Sequence, residues 1–368
     1  MNSHKLNEKP VRVLHFVSGG FSGATQVAID LVTAAINSRT VDPLLVLRLK
    51  RQTPRSRIDT LITQGLPIKV VSGLAHAISI WQLRNICKDF KPDILVAHGF
   101  SEHLIGRYAG LLAGVPTLIH VEHNSRERYN LWSLAQAKWL SKRTKHIIGV
   151  SDGVRNHLID LGFPDGKIKS IPNGIKTDKF QDADAFPYRE RACNIVMCAR
   201  FSSQKDHETA IRALKILKQN GHTPNLILAG TGKKKYENRA RSLALDLDLS
   251  SQVVFLGHCT DVPALLMKNQ IFLLSTHYEG MPLALIEGMA AGCAVVSSDV
   301  IGVREVISNG ENGLLTPEAD PKHLAAALEK IITTPEFGRK LANQGRHDAT
   351  HKHDIQLMRK RYEQLFCA

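Results

Sequence analysis

Two acidic residues stand eight positions apart around a Gly-Met-Pro turn in the second half of the chain, in the run YEGMPLALIEG (278–288). The apolar run IFLLST (271–276) leads into this turn and predicts a buried strand, which places Glu279 on the loop that follows it. Pro282 fits the first position of a helix, which places Glu287 inside that helix. The two carboxylates would then flank a helix entrance, where each can accept hydrogen bonds from sugar hydroxyls.

The entrance of this predicted helix is also suited to an anion. The first amides of a helix have no intrahelical acceptor, and glycine lets a phosphate approach the backbone closely. A phosphate group would lie between the two carboxylates. The residues expected to surround it are Gly280, Met281, Pro282 and Leu283.

Two cations follow the first apolar run of the second half, NIVMCAR (194–200). Arg200 closes the run, and Lys205 comes five residues later at the start of a predicted helix. Two cations beside a helix N-terminus are suited to bind a diphosphate. The alternative is a pair of solvated surface charges.

A glycine-containing loop, SGGFSGATQ (18–26), follows the first apolar run of the chain. Its glycines, beginning with Gly19 and Gly20, would let backbone amides approach a phosphate. Their spacing is not that of a nicotinamide-dinucleotide site, and the second strand run ends in the basic sequence RLKRQ rather than in an acid for a ribose hydroxyl. A tight turn without a ligand is the alternative interpretation.

The elements that must position these residues alternate along the chain. Short apolar runs are separated by helical patterns such as 24–36 and 101–113, which predicts parallel sheets covered by helices on both faces. Such sheets bind ligands at the carboxyl ends of their strands, where the candidate residues fall. The runs span residues 11–17, 43–49, 68–72, 93–98, 117–122, 146–151 and 168–172 in the first half, and 194–200, 225–230, 252–257, 271–276 and 293–298 in the second.

The composition narrows the class of protein. No apolar stretch approaches the roughly 18 residues of a membrane span, and the first ten residues lack the apolar core of a signal peptide, so we expect a cytoplasmic protein. The polar stretch 176–192 is predicted to link two doubly wound domains, residues 1–185 and 186–351. The net charge of +14 suggests an anionic partner such as nucleic acid, a membrane surface or a phosphorylated substrate.

Together these residues resemble a known family. Arg200 and Lys205, the E-x7-E element of Glu279 and Glu287, and the run AGCAVVSSDVIGVREVISNGENGLL (291–315) are similar to the retaining glycosyltransferases of family 4, which have the GT-B fold. The resemblance implies two Rossmann-like domains that face each other across a cleft, with a final helix near 352–368 packing back on the first. It also implies that Glu279 contacts the donor sugar, that Glu287 binds the ribose, and that the two cations neutralise the diphosphate.

The resemblance adds further donor-site residues. Gly19 and Gly20 would face the diphosphate across the cleft. Gly230 and the backbone around His258 would belong to the nucleotide-sugar site. The segment IPNGIK (171–176) also matches the family, with a lysine where an acid is common.

An active-site histidine is expected as well. His123, in LIHVEHNS (118–125), matches the family's catalytic histidine at a strand end. His98 and His120 are the alternatives, and a buried structural histidine is a third interpretation of each.

The chemistry implied is transfer of a glycosyl group from a nucleoside diphosphate, with UDP favoured. The departing diphosphate gains negative charge, so Arg200, Lys205 and the helix entrance would stabilise the transition state. No divalent metal or other cofactor is expected, because no Asp-x-Asp motif follows a strand. The family implies retention of anomeric configuration, and attack by the acceptor on the leaving-group face is favoured over a covalent enzyme intermediate.

The acceptor is expected to be a saccharide or a lipid-linked saccharide of the cell envelope. The segment 126–145 carries Tyr129, Trp132, Ala135 and Trp139 at helical spacing among basic residues. A basic helix of this kind can lie on an anionic membrane, here the inner face of the cytoplasmic membrane. The alternative is a stripe that faces the protein core.

Two other functions remain open at this level. A nucleotide-sugar 2-epimerase on a similar fold would need catalytic acids and histidines but no acceptor. A nucleic-acid-binding protein should carry one basic stripe with stacking aromatic residues. Here the basic residues are scattered and aromatic residues are only 6%, so no nucleic-acid partner is predicted.

Overall fold

The structure is a computed structural model that describes residues 9–51, 53–126 and 129–367. Its residues divide into two compact units. The first unit extends to Asn173 and includes the chain again from Gln356, whereas the second unit is Gly174–Ile355. From the sequence alone, these boundaries are expected after residues 185 and 351.

Seven parallel strands form the sheet of the first unit, in the order β3-β2-β1-β4-β5-β6-β7. Each contains one of the predicted apolar runs, because a strand covered by helices on both faces has few positions for polar side chains. All the strands point the same way, so their carboxyl ends meet at one edge of the sheet. The strands are β1 (Val11–Ser18), β2 (Val41–Arg48), β3 (Ile68–Val71), β4 (Ile94–His98), β5 (Thr117–Glu122), β6 (His146–Gly149) and β7 (Ile168–Ser170).

Helices connect successive strands of this sheet. Their apolar faces bury residues such as Val32 of the first helix and Ile105 of the fourth against the strands. The helices are α1 (Gly23–Ala35), α2 (Arg55–Thr63), α3 (His76–Phe90), α4 (Glu102–Ala113), α5 (Leu131–Ser141) and α6 (Asp152–Asp160).

The aromatic stripe of α5 faces solvent. Trp132 is 81% exposed and Trp139 is 44% exposed, while the buried positions of this helix are Ala137, Leu140 and Ser141. The alternative interpretation, a stripe that faces the core, is therefore wrong for the tryptophans. Arg128, which belongs to the same predicted segment, lies outside the described residues.

The second unit contains a six-stranded parallel sheet in the order β10-β9-β8-β11-β12-β13. Five of its strands match predicted runs. The sixth was not predicted, because its segment GLLTP (313–317) has two apolar residues between a glycine and a proline. The strands are β8 (Ala192–Cys198), β9 (Leu226–Ala229), β10 (Val253–Gly257), β11 (Asn269–Leu274), β12 (Ala294–Ser298) and β13 (Leu314–Thr316).

Helices again cover this sheet, so each unit is a doubly wound, Rossmann-like layer structure, as predicted. Among the described residues, no helix combines the length and the apolar character needed to cross a membrane. The helices are α7 (His207–Gln219), α8 (Lys234–Asp246), α9 (Val262–Met267), α10 (Leu283–Ala290), α11 (Ile301–Arg304), α12 (Pro321–Thr333), α13 (Pro335–Lys352) and α14 (Ile355–Phe366).

The last helix returns to the first unit. α14 belongs to that unit from Gln356 onward. Its buried residues recur at helical spacing, and the ring of Phe366 lies edge-on to that of His15 with centroids 6.1 Å apart. The buried residues are Ile355, Met358, Tyr362 and Leu365.

The stretch predicted as a polar linker is instead packed on the second unit. Residues 177–185 and 188–190 form 3-10 turns, and Phe180, Ala183 and Tyr188 are buried. Arg191 Nη2 donates to the carbonyl oxygen of Ala183 at 3.0 Å. The sequence conceals this packing because the three buried residues follow no regular period among polar neighbours.

Candidate active site

The loop after β11 holds Glu279 against Lys205. The lysine ammonium forms an ion pair with Oε1 of the carboxylate, and Thr276 Oγ1 donates to the same oxygen at 2.9 Å. Both side chains are largely buried, with 13% and 9% of their surfaces exposed. The residue predicted to bind the donor sugar and the lysine predicted to bind the diphosphate therefore meet at one place.

Backbone contacts fix this arrangement. The segment before α7 runs beside the loop after β11, where Lys205 and Thr276 form an antiparallel bridge. The amide of His277 donates to the carbonyl oxygen of Gln204 at 2.9 Å, and Nε2 of Gln204 donates to the carbonyl oxygen of Tyr278 at 2.7 Å. The ion pair consequently rests on two loops that hold each other in position.

The entrance of α10 lies directly after this loop. Pro282 takes the capping position, one residue before the helix rather than at its first residue, and has no side chain with which to cap it. The turn is held from behind, since a Cβ on Gly302 would lie 2.2 Å from the carbonyl oxygen of Gly280. The first amides of α10, beginning with that of Leu283, therefore form a fixed set of donors suited to a phosphate.

Glu287 lies on a different side of this entrance. It is half-buried on α10, and its charge, after the larger effect of burial, raises the pKa of the Cys198 thiol at the end of β8. The sheet order makes β8 and β11 neighbours. The two acids consequently lie at the ends of adjacent strands, Glu279 after β11 and Glu287 near β8.

Arg200 follows β8 by two residues and is exposed. Gly230, at the end of β9, packs against the backbone that leads to this arginine, because a Cβ there would lie 2.1 Å from the carbonyl oxygen of Ala199. The amide of Gly230 donates to the carbonyl oxygen of Gly257 at 2.7 Å, and the exposed His258 comes next. Arg200, Gly230 and His258 therefore share one edge of the sheet with the two acids.

The start of α7 is not available to an anion. Asp206 caps this helix, and its Oδ1 accepts from the amide of Thr209 at 3.0 Å. Lys205 precedes this cap, rather than beginning the helix as expected. Of the two helices that begin beside the Lys205–Glu279 pair, α10 is thus the one whose N-terminus has no side-chain cap.

In the first unit, three histidines form a hydrogen-bonded row. Nδ1 of His15 lies 3.0 Å from Nε2 of His98, and Nδ1 of His98 lies 3.2 Å from Nε2 of His123. Burial lowers the pKa of His15 and of His123 to about 3 and that of His98 well below its ordinary value. The three rings are therefore neutral near pH 7, and each can donate one hydrogen bond and accept another.

Comparison with known proteins assigns the family. A family model described as Glycosyltransferase Family 4 matches residues 21–179, and one described as Glycosyl transferases group 1 matches residues 179–348. The chain belongs to glycosyltransferase family 4. The predicted family is thus confirmed, and the protein is a glycosyltransferase.

Individual relatives of this glycosyltransferase cover different shares of it. The EpsD protein of Bacillus subtilis (strain 168) is 30% identical over 58% of each chain, so our chain spans less than two thirds of that relative. The UDP-Gal:alpha-D-GlcNAc-diphosphoundecaprenol alpha-1,3-galactosyltransferase of Escherichia coli is 26% identical over 72% of each. The lipopolysaccharide core biosynthesis glycosyltransferase LpsE of Rhizobium meliloti (strain 1021) is 24% identical over 97% of this chain and 99% of LpsE.

A solved structure supports the fold. Anabaena Alr3699/HepE, crystallised with UDP and glucose, is 19% identical and superposes with a TM-score of 0.84 over 97% of this chain and 99% of that one. At this level of identity the likeness concerns the fold. The GT-B prediction, with two Rossmann-like parallel sheets, is confirmed.

The predicted histidines of this glycosyltransferase occupy different environments. His123 is half-buried at the end of β5, whereas His98 and His120 are completely enclosed. His98 joins the row with His123, but His120 stacks on His103 with centroids 4.1 Å apart. His123 is therefore the member of this set that a substrate can reach.

The environment of His120 was missed by the sequence analysis. Arg107 of α4 is fully buried, with Nη2 beside His103 and Nη1 donating to Thr144 Oγ1 at 3.2 Å. Burial lowers the pKa of this guanidinium to about 10, while Tyr129 and Glu122 act in the opposite direction. The one available signal is the i, i+4 spacing of His103 and Arg107 in an otherwise apolar helix. This group is buried within the first unit.

The glycine loop of the first unit uses its amides internally. The amide of Gly19 donates to the carbonyl oxygen of Arg48 at 2.8 Å, and that of Gly20 donates to Ser18 Oγ at 3.2 Å. The amide of Ser22 donates to Thr25 Oγ1 at 3.2 Å. A phosphate at this loop would compete for these donors, so the binding role of Gly19 and Gly20 stays a prediction.

Within the described ranges, no three His, Cys, Asp or Glu side chains come together in a way that could hold a metal ion. The expectation that transfer needs no metal stays a prediction. It can be tested only with the nucleotide sugar bound, and the same is true of the identity of the donor.

Proposed function

We propose that this glycosyltransferase moves a sugar, with retention of configuration, from a UDP-sugar to a saccharide or lipid-linked acceptor during synthesis of cell-envelope polysaccharide or lipopolysaccharide. The observation that carries the proposal is the Lys205–Glu279 pair beside the open entrance of α10. The lysine and the first amides of the helix are suited to the oxygens of the donor diphosphate, and the carboxylate is suited to the sugar hydroxyls.

The donor would bind through all of these groups. Its diphosphate would lie on Lys205, Arg200 and the first amides of α10, while Glu287 would accept from the ribose hydroxyls. When the glycosidic bond breaks, the electron pair stays with the diphosphate oxygen. The added negative charge meets cations and dipoles that are already in place, which lowers the barrier.

The ion pair with Lys205 would link the position of Glu279 to donor binding. A diphosphate that binds Lys205 competes with Glu279 for the ammonium, so the carboxylate becomes available to sugar hydroxyls as the donor arrives. Thr276 remains hydrogen-bonded to the same carboxylate oxygen and holds its orientation. Donor binding and sugar positioning would in this way be coupled at a single lysine.

Retention would follow from attack by the acceptor hydroxyl on the face from which the diphosphate departs. The leaving diphosphate can then take the proton of that hydroxyl, and no covalent enzyme intermediate forms. His123 is proposed to contact the donor sugar, as the neutral ring that the histidine row maintains.

The acceptor is proposed to be linked to a lipid diphosphate. One relative, from Escherichia coli, carries alpha-D-GlcNAc-diphosphoundecaprenol in its name. The first unit also has 26 Lys and Arg against 13 Asp and Glu, a net charge of +13. A unit with this charge would be attracted to the anionic cytoplasmic face of a membrane, and residues 126–145 would make the contact.

The direct test is transfer in vitro. The protein is incubated with UDP-sugars and a synthetic saccharide-diphosphate lipid, and the anomeric configuration of the product is read by NMR. We expect an α-linked product from an α-linked donor, the same rate in EDTA, and transfer slowed roughly 30- to 1000-fold in Lys205→Ala. Conversion of the UDP-sugar to its 2-epimer without acceptor would replace this function by an epimerase.

A further inference from the structure

A groove on the first unit lies between α3, α4 and α5. It has a volume of about 380 Å³, and its walls are mainly apolar. Its apolar lining comprises Ile80, Phe100, Leu104, Ile105, Tyr108 and Trp132. Apart from Trp132, which belongs to the segment 126–145, none of these residues has a role in the site described above.

The mouth of this groove exposes large apolar side chains. Leu131 is 88% exposed and Trp132 is 81% exposed, at the first turn of α5. Two neighbouring side chains of this size rarely face water without a function, and tryptophan is favoured where an apolar region meets a polar one. The groove is therefore suited to a hydrocarbon chain.

One end of the groove is polar and carries a positive charge. Ser101 lines this end, and its hydroxyl donates to Oε2 of Glu102 at 2.9 Å. Arg48 and Lys50 lie 3.2 and 3.5 Å from Oε1 of the same glutamate. Two cations around one carboxylate leave a net positive charge, and the side chain of Lys50 is 49% exposed.

The same end lies next to the edge of the first unit's sheet at which the strands end and the histidine row lies, called the catalytic edge below. Phe100 and Ser101 follow β4, whose last residue, His98, belongs to the histidine row. A ligand in the groove would thus extend from the tryptophan-lined mouth to a cation and then to the edge that carries His123. The ligand that fits this order is an amphiphile with a hydrocarbon chain and an anionic head.

We propose that the α3–α4–α5 groove binds the hydrocarbon chain of the acceptor lipid next to its phosphate, and that Lys50 binds that phosphate. This assignment rests on the proposed function, because it locates the lipid part of the acceptor. A bilayer surface would meet the exposed tryptophan as well, but it would not need a groove that ends at a cation beside the catalytic edge.

Binding can be measured without any transfer reaction. All three tryptophans lie in the first unit, so Trp81→Phe with Trp139→Phe leaves Trp132 as the only reporter. We expect monomeric decyl phosphate to shift the emission of Trp132 to the blue, with roughly tenfold weaker binding in Lys50→Ala. Lys69→Ala, which removes an exposed lysine from β3, should bind as the parent does.

Three outcomes of this titration would overturn the proposal. They are no shift with decyl phosphate, an equal shift with decanol, and a shift that appears only with phosphatidylglycerol vesicles. The last result would assign the surface to a bilayer. A shift with decyl phosphate in a protein that transfers no sugar would keep the groove and reject the proposed function.

Kinetics provide the second arm. Leu104→Trp fills the groove, so it should raise KM about tenfold for an acceptor with a long isoprenoid chain and leave KM within twofold for one with a two-carbon chain. Trp81→Ala, an exposed tryptophan outside the groove, is the control. Equal effects of Leu104→Trp on the two acceptors would overturn the assignment.

Discussion

The two units share a fold but distribute charge in opposite ways. The first carries a net charge of +13, and the second has 22 Lys and Arg against 21 Asp and Glu, a net charge of +1. Yet the two cations proposed to meet the donor diphosphate, Arg200 and Lys205, belong to the nearly neutral unit. If that proposal holds, net charge does not mark the nucleotide site of this protein.

The polar interiors differ in their number of buried histidines. The first unit buries neutral histidines in a row and in a stacked pair besides its Arg48–Glu102 ion pair. The second buries the Lys205–Glu279 ion pair and, in the part of the chain that the structure describes, a single histidine of lowered pKa, His207. A neutral ring is less costly to bury than an ion, but it loses that advantage when acid protonates it. The units should accordingly respond differently to pH.

Acid should unfold the first unit before the second. Burial lowers the pKa of six histidines of the first unit, but in the second unit only that of His207 among the described residues. The six are His15, His98, His103, His120, His123 and His146. The unfolded chain binds more protons between pH 6.5 and about 3, so stability is retained above pH 6.5 and declines by about 1.4 kcal/mol per pH unit for each such histidine below it.

The measurement uses the position of the tryptophans. Because all three lie in the first unit, their fluorescence reports on that unit alone, whereas far-UV circular dichroism reports on both. The fluorescence transition should occur at higher pH than the loss of helical signal. Coincident transitions would show that the units resist acid equally.

The next largest effect should come from Lys205→Ala. Loss of a charge-assisted contact to the departing diphosphate should cost about 2–4 kcal/mol in the transition state, or roughly 30- to 1000-fold in kcat. Steady-state transfer with saturating acceptor measures it, and Lys268→Ala supplies an exposed-lysine control in the same unit. A kcat within threefold of the parent would show that this lysine does not bind the diphosphate.

The two acids should separate binding from turnover. Glu287→Ala removes a charged acceptor from the ribose and should weaken UDP binding by about 1.5–3 kcal/mol. Glu279→Ala should instead lower kcat and leave UDP affinity equal or higher, because it frees Lys205 from its ion pair. Calorimetry with free UDP distinguishes them, and equal losses of affinity would contradict the assignment.

The smallest effect should arise in the histidine row. His98→Phe removes hydrogen bonds from His15 and His123, which should reduce kcat about two- to tenfold while UDP affinity stays unchanged. His98→Gln, which can hydrogen-bond to both neighbours, should recover part of the loss. Identical kcat values for the two variants would show that only the volume at this position matters.

Much of this architecture can be predicted from local sequence. Strands buried on both faces leave continuous apolar runs, so twelve of the thirteen strands in the described residues were located in advance. Leu314–Thr316 was missed because it has two apolar residues between a glycine and a proline. The placement of Glu279 on a loop and Glu287 in a helix follows from Gly280 and Pro282 between them. The packed turns at 177–190 could not be predicted, because their buried residues follow no period.

The sequence by itself determined the family, the parallel-sheet architecture and the types of residue proposed to bind the donor, because each of these depends on short stretches of sequence. Only the tertiary structure decided which of these residues touch. Lys205 meets Glu279 because strand order makes β11 and β8 neighbours although their sequences lie far apart. His98 likewise joins His15 and His123 because β1, β4 and β5 are adjacent strands. Strand pairing depends on contacts between residues that are distant in the sequence, so a local sequence pattern cannot predict it.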